Sequence, residues 1–341
     1  MHNFFSDTQT KPSRAMLETV FTADVGDEQR GEDATTRKLE ARVAELLGKD
    51  AAVYMPSGTM CNEIAIHIHC RPGDEIICAA QSHIVGFEGG GPAALSGTMM
   101  RLIETSDGTF TAADVTAALR SGSRYEPRSR LVSVEQTVNV SGGIVWPIEQ
   151  LAAVGAAARA AGLGVHMDGA RLMNAAVASG RPAAEHTAAV DSVWIDFTKG
   201  LGAPFGAVLA GSEAFIAEAW RLKQRWGGAM RQSGIMAAMC LYALDHHVDR
   251  LAEDHALAAS IAERLGDLAG VANVIPPHTN IVIFDLADGG PDASHVAAAL
   301  AERDVQVCQF GERRIRLVTH HDVNGADADV LFEQLAEVLS A

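Results

Sequence analysis

From residue 51 to residue 211 the chain repeats one pattern: a short apolar run, a polar turn, then a longer stretch rich in Ala and Leu. The runs AAVYM (51–55), DEIIC (74–78), TMMRLIE (98–104), RLVSVE (130–135), GVHMD (164–168), SVWIDF (192–197) and GAVLAG (206–211) read as strands. Over 36–47, Leu39, Val43, Leu46 and Leu47 recur at helical spacing with Gly48 as a stop. Pro147 opens a second helix that runs through 161 and stops at Gly162. Near-continuous apolar strands separated by helices predict an α/β fold whose mostly parallel sheet is covered on both faces. Ligands of such a sheet sit outside the carboxyl ends of its strands.

After residue 212 the rhythm changes. Long helices are predicted over 212–225 and 233–268, followed by strands NIVIFDL (280–286), VQVC (305–308) and RIRLVT (314–319). This divides the 341 residues into an N-terminal arm with a large domain over 1–245 and a smaller α+β domain over 246–341. The first 30 residues read as an arm that needs a surface to pack on.

The net charge of −16 repels phosphate backbones and acidic lipid surfaces, so neither nucleic acid nor membrane is an expected partner. The basic cluster Arg313, Arg314 and Arg316 reads as a strand with two solvated arginines and one working one. The apolar stretch at 235–244 falls short of the roughly 18 residues that would span a bilayer, and no leader is readable in the first ten residues. Cys61, Cys70, Cys78, Cys240 and Cys308 form no C-x-x-C pair and lie in apolar segments, which fits reduced thiols in a cytoplasmic protein. In the string His67, Ile68, His69, Cys70 the two histidines face apart on a helix, so no metal site is expected there.

There are only five lysines. Lys38 and Lys49 lie on or just beyond a charged helix and read as solvated, Lys11 is in the polar arm, and Lys223 sits amid Arg221 and Arg225. Lys199 differs: it follows an apolar strand and precedes the glycine-rich turn of DFTKGLGAPFGA (196–207). An amine at that edge is either a nucleophile made available by desolvation or a buried structural lysine. Asp168, at the end of the strand GVHMD, is either a helix cap or a buried carboxylate. Together the two suit an aldehyde-bearing pyridine cofactor, which needs a lysine for a Schiff base and a carboxylate to keep its ring nitrogen protonated. Ser57, Gly58 and Thr59 open a helix and serve as a plain cap or as a phosphate anchor. His83 is a structural histidine or a flat group over the same edge that stacks and exchanges protons. Gly89, Gly90 and Gly91 beside it permit close backbone approach. No Walker lysine and no G-x-G-x-x-G occurs.

The segments SDTQTKPSRAM (6–16), VGDEQRGEDAT (25–35), PSGTMCN (56–62), HMDGARLMNA (166–175), TKGLGAPFGA (198–207), MRQSGIMAA (230–238) and RLVTHHDV (316–323) occur in order along nearly the whole chain. With them the sequence resembles the low-specificity L-threonine aldolases, which are fold-type-I pyridoxal 5'-phosphate enzymes. The resemblance implies that Lys199 carries the cofactor as a Schiff base, that Asp168 pairs with the pyridine nitrogen, and that His83 stacks on the ring as a candidate base. It implies phosphate contacts from Ser57, Gly58 and Thr59, and places Ser6, Arg171 and Arg316 at the substrate carboxylate or neighbouring cofactor oxygens. Arg231 matches an arginine that reaches the cofactor phosphate of an adjacent subunit, within a tetramer built as a dimer of dimers. The implied reaction is retro-aldol cleavage of L-threonine, L-allo-threonine and related β-hydroxy-α-amino acids to glycine and an aldehyde.

The chain departs from that pattern at Arg30, where relatives carry Tyr, at Met60 for Gln, and at Val138 for His. A second histidine expected near residue 126 is replaced by Tyr125, Glu126 and Pro127. All four departures concern the aldehyde side of the substrate. They keep open an aldolase or lyase of another β-substituted amino acid, such as phenylserine or hydroxyaspartate, or a β-elimination or racemisation activity. Arg30 is either a receptor for a side-chain carboxylate or a surface partner of Glu28 or Glu32.

Overall fold

A computed structural model describes residues 1–340. The large sheet has seven strands: β2 (Ala51–Met55), β3 (Asp74–Ala79), β4 (Met99–Ile103), β5 (Arg128–Glu135), β6 (Gly164–Gly169), β7 (Ser192–Asp196) and β8 (Ala207–Gly211), following the arm strand β1 (His2–Asn3). Their order is β2-β8-β7-β6-β5-β3-β4, and β8 alone runs against its neighbours. The sheet is therefore mostly parallel, and β3, β7 and β8 are buried at every position, as helices on both faces require.

Local chemistry sets the helix ends. Asp33 caps Ala34–Leu46 by accepting the Thr36 N–H at 2.9 Å, and Ser57 caps Gly58–His69 by accepting the Met60 N–H at 3.2 Å. Gly48 and Gly162, past the ends of two helices, have φ of 60° and 71°, the left-handed conformation that glycine adopts at least cost.

A second, antiparallel sheet has the order β12-β13-β10-β9, from β9 (Val271–Ile275), β10 (Ile281–Leu286), β12 (Cys308–Gln309) and β13 (Arg314–Val318). Helices Leu251–Gly266, Ala293–Ala301 and Gly325–Ser340 contribute to its own apolar cluster. The arm packs on this unit: β1 pairs in parallel with β11 (Val305–Gln306), and Phe4 is fully buried in the same cluster. Burying that ring contributes roughly 1.5–3 kcal/mol.

Three expectations need correction. The helix predicted over 233–268 is two, Gly234–His246 and Leu251–Gly266, because the chain turns at His247, whose Nδ1 lies 2.7 Å from the Leu201 carbonyl. The run VQVC is divided between β11, which pairs with the arm, and β12, which pairs with β13. Strand β9 has no counterpart in the reading of the sequence, because at the sheet edge its VANVI side chains are only partly buried and show no period.

Candidate active site

The carboxyl ends of five strands converge. After β2 the turn carries Ser57, Gly58 and Thr59, and after β3 a short helix, His83–Gly86, begins with His83. Strand β5 ends in Glu135, β6 carries Asp168, and β7 leads through Asp196 to Lys199. The Ser57 turn lies directly on the β7 side chain Trp194: a Cβ at Gly58 would stand 2.1 Å from its ring. Beyond β5, Thr137 takes φ 60°, a strained conformation for a β-branched residue that costs about 1–3 kcal/mol and occurs where a site imposes it.

Together these ends line a cavity of about 760 Å3. Nine of the ten residues singled out above border it: Ser6, Ser57, Gly58, Thr59, His83, Asp168, Arg171, Lys199 and Arg316. The tenth, Arg231, lies elsewhere, mostly exposed and paired with Asp27 at 2.7 Å.

Asp168 is held by fixed donors. Its Oδ1 accepts the Ala170 N–H at 3.1 Å and its Oδ2 accepts the Asn62 amide at 2.9 Å. It is not a helix cap, since Leu172–Ser179 starts after Arg171 without a side-chain cap. The orientation of Asn62 follows from Trp194, whose indole N–H only donates and reaches Asn62 Oδ1 at 2.6 Å. The same Oδ1 is 3.0 Å from His166 Nε2, which must then carry a proton, and His166 Nδ1 meets Ser192 Oγ at 2.9 Å. Burial pushes the His166 pKa down to about 3, so this chain of groups stays neutral.

The His83 imidazole meets Glu88 through Nδ1 at 2.8 Å, and its backbone N–H donates to Glu135 at 2.7 Å. Burial opposes charge on the ring, but the Glu88 hydrogen bond and the charges of Asp168, Glu88 and Glu135 outweigh it and raise the His83 pKa. Burial and the Asp168 charge raise the Glu135 carboxyl to about 7. Lys199 Nζ stands 3.3 Å from Asp196 and 5.8 Å from the centre of the Trp194 ring.

In the same cavity, Arg171 donates to Asp7 from Nη2 at 2.6 Å and from Nε at 2.8 Å. Arg316 is freer: Nη1 donates to Asn139 at 2.9 Å, but its buried Nε has no partner. Burial and the nearby Arg171 charge lower its pKa, so an anion brought here relieves both. Ser6 Oγ accepts the Thr8 N–H at 3.2 Å.

Several lining residues had no sequence signal. Phe5, Phe87, Glu88, Glu135, Asn139, Asp196 and Phe310 reach the cavity from separate parts of the chain, and only the strand-end positions of Glu135 and Asp196 mark any of them in advance. Cys308, expected inside an apolar segment, is half-buried and lines the cavity. Of the two lysines read as solvated, Lys38 is exposed and Lys49 is not, and Lys223 is more than one basic residue among arginines. Lys223 is fully buried and donates to Glu28 at 2.5 Å, and half-buried Lys49 donates to the carbonyls of Thr187 and Val190. Of the two arginines expected to be solvated, Arg314 pairs with Asp285 at 2.7 Å and Arg313 donates to the Leu286 carbonyl at 3.1 Å. His67 and His69 turn to different partners, the Ser96 region and Ser192. By contrast, ligand-type atoms of His83, Glu88 and Asp168 lie within 4.8 Å of one another, a juxtaposition that sequence spacing does not show.

The residues fit an anionic pyridine aldehyde. The site offers an amine, a carboxylate aimed at the cavity, a flat imidazole and free N–H groups of a helix's first turn. The family described as beta-eliminating lyase matches residues 3–289. Low-specificity L-threonine aldolase 1 of Arabidopsis thaliana is 38% identical, over 94% of this chain and 92% of that protein. The low specificity L-threonine aldolase of Escherichia coli (strain K12) is 40% identical, over 98% and 96%. This chain belongs to the beta-eliminating lyase family, among the low-specificity L-threonine aldolases.

Its fold agrees with that of Leishmania major threonine aldolase, with a TM-score of 0.84 at 22% identity over 99% of both chains. The family and the fold are those of fold-type-I pyridoxal-phosphate enzymes. In this member of the lyase family the departures Arg30, Met60, Val138 and Tyr125 all lie outside the cavity lining of the chain. Arg30 pairs with Glu32 at 2.8 Å on the surface, Val138 is buried, and Tyr125 is exposed.

Proposed function

We propose that the chain is a pyridoxal 5'-phosphate-dependent aldehyde-lyase that cleaves L-threonine, L-allo-threonine and related β-hydroxy-α-amino acids to glycine and an aldehyde. The observation that carries this reading is the convergence of Lys199, Asp168 and Arg316 on one cavity. Pyridoxal phosphate supplies a carbonyl for amine exchange and a protonated ring that takes up the electron pair left when a bond at Cα breaks.

The chain's own residues do the rest. Lys199 is the amine that would hold the aldehyde. Asp168, fixed by Asn62 and Ala170, would keep the ring nitrogen protonated. Ser57, Gly58 and Thr59 would hold the phosphate at a helix N-terminus. Arg316 grips the substrate carboxylate with its planar fork, and Ser6 and Arg171 border the same wall; that grip decides which bond at Cα is presented for cleavage. His83, with Nδ1 tied to Glu88, has Nε2 free to take the β-hydroxyl proton, directly or through a water, as the Cα–Cβ bond opens. Phe5, Phe87 and Phe310 border the cavity with apolar surface.

The test is incubation with L-threonine and a coupled assay for acetaldehyde. Aldehyde formation that disappears in Lys199→Ala, together with the visible cofactor absorption, is expected. Absence of aldehyde from L-threonine, L-allo-threonine and phenylserine alike would remove the reading. With Arg30 paired at the surface, no observation in this chain favours a hydroxyaspartate preference.

The same reading includes a homotetramer with shared sites. It is supported by the position of Arg231, outside the cavity of its own chain, and by the exposed Phe21 of the arm. Mixing inactive Lys199→Ala and Arg231→Ala proteins should restore turnover, because one kind of mixed site then carries neither defect. A cytoplasmic location belongs to this reading too, supported by five unpaired cysteines. Among the described residues no helix is long and apolar enough to cross a membrane.

A further inference from the structure

Behind His83 lies a carboxyl group that the proposed reaction does not use. Glu63, on the helix Gly58–His69, is 3% exposed, and neither of its oxygens meets a donor. It stands within hydrogen-bonding reach of Glu88, which is also buried and whose Oε2 is likewise without a partner. A Cβ at Gly91 would lie 2.0 Å from Glu63 Oε1, so the last residue of the triple-glycine run leaves the space that this carboxyl fills.

Two carboxylates facing each other in a buried place, with no cation between them, do not both ionise. The surrounding donors show which one keeps the proton. Glu88 Oε1 takes the Asn62 amide at 2.6 Å and faces His83 Nδ1 at 2.8 Å, whereas Glu63 receives nothing. A proton on Glu63 directed at Glu88 Oε2 satisfies an orphan oxygen on each side.

We propose that Glu63 stands protonated and donates its O–H to Glu88, acting as a positioning residue that tempers the pull of Glu88 on the His83 imidazole. The arrangement is a buffered form of a carboxylate–histidine pair, in which the carboxylate stabilises the imidazolium that forms when His83 accepts a proton. Burial first and Glu88 second push the Glu63 carboxyl up to about 8. The charged groups facing His83 are Glu88, Asp168 from β6 and Glu135 from β5, and Glu88 is the one that acts on Glu63.

The consequence for turnover rests on the reading of His83 as the proton acceptor, but the titration itself does not. The test follows the His83 ring by NMR in isotope-labelled holoenzyme, comparing wild type, Glu63→Gln and Glu63→Leu. Wild type is expected to show the His83 transition and a second step at about pH 8, where Glu63 ionises. Glu63→Gln keeps an N–H donor in place, so it retains the first transition and loses the second. Glu63→Leu leaves Glu88 unrestrained and moves the His83 midpoint up by about one pH unit. Three superimposable titrations, or Glu63→Gln shifting as Glu63→Leu does, would overturn the proposal. The pH profile of kcat/KM for threonine should follow the same order. If no aldehyde forms at all, the proposed reaction fails while the NMR titration still decides the role of Glu63.

Discussion

Asp7 of the N-terminal arm holds Arg171 through two hydrogen bonds, at 2.6 and 2.8 Å, in a pair closed to solvent. Burial alone raises a carboxyl, but the Arg171 charge and its hydrogen bonds hold Asp7 well below the usual carboxylate range. Asn280 also donates to Asp7, at 3.1 Å, so one carboxylate joins the arm, the β6 exit and the residue that leads into β10. Asp7→Ala is expected to destabilise the fold by about 3–5 kcal/mol, because it strands a buried guanidinium. Urea unfolding measures this, and a loss under about 1 kcal/mol would show the pair to be dispensable.

Arg316→Lys should raise KM for the amino acid by roughly ten- to a hundred-fold, the equivalent of about 1.5–3 kcal/mol for a lost charged hydrogen bond. The reason is the unpartnered Nε beside Nη1, a fork that an ammonium does not reproduce. Steady-state kinetics with L-threonine decides it; an unchanged KM would place the carboxylate elsewhere.

Acid should weaken the fold through His166. Its folded-state pKa of about 3 lies below the ordinary value of 6.5, so the unfolded chain binds a proton that the folded one refuses. The fold therefore loses stability as pH falls from 6.5 towards 3, by about 1.4 kcal/mol per pH unit for this one group. His83, with its raised pKa, works in the opposite sense: its contribution is present below 6.5 and fades as pH rises through its folded value. Urea midpoints measured across this range in wild type and His166→Asn should show a shallower acid limb in the variant.

Lys223 and Glu28 form the other buried pair, fully closed on the lysine side. Lys223→Met alone should cost about 3–5 kcal/mol, and the double change Lys223→Met with Glu28→Leu should recover most of it. Equal losses in the single and double variants, read by denaturant titration, would contradict the pairing.

Much was legible without coordinates, because it depends on neighbours along the chain. Strand and helix identity follow from the period of apolar side chains, and caps such as Ser57 and stops such as Gly48 follow from local backbone chemistry. A mostly parallel sheet then dictates that Asp168 and Lys199 emerge at one edge, where ordered motifs made the family recognisable.

What only the tertiary structure decided are pairings between residues far apart in number. Lys223 reads as one basic residue among arginines until Glu28 reaches it across 195 positions. Glu63 looks like the polar face of a helix until Glu88 closes over it, and Asn62 has no visible task until Trp194, His166, Glu88 and Asp168 surround it. Periodicity reports which face of an element is buried. The partner of a buried charge depends on which elements pack together, and that is a property of the folded chain as a whole.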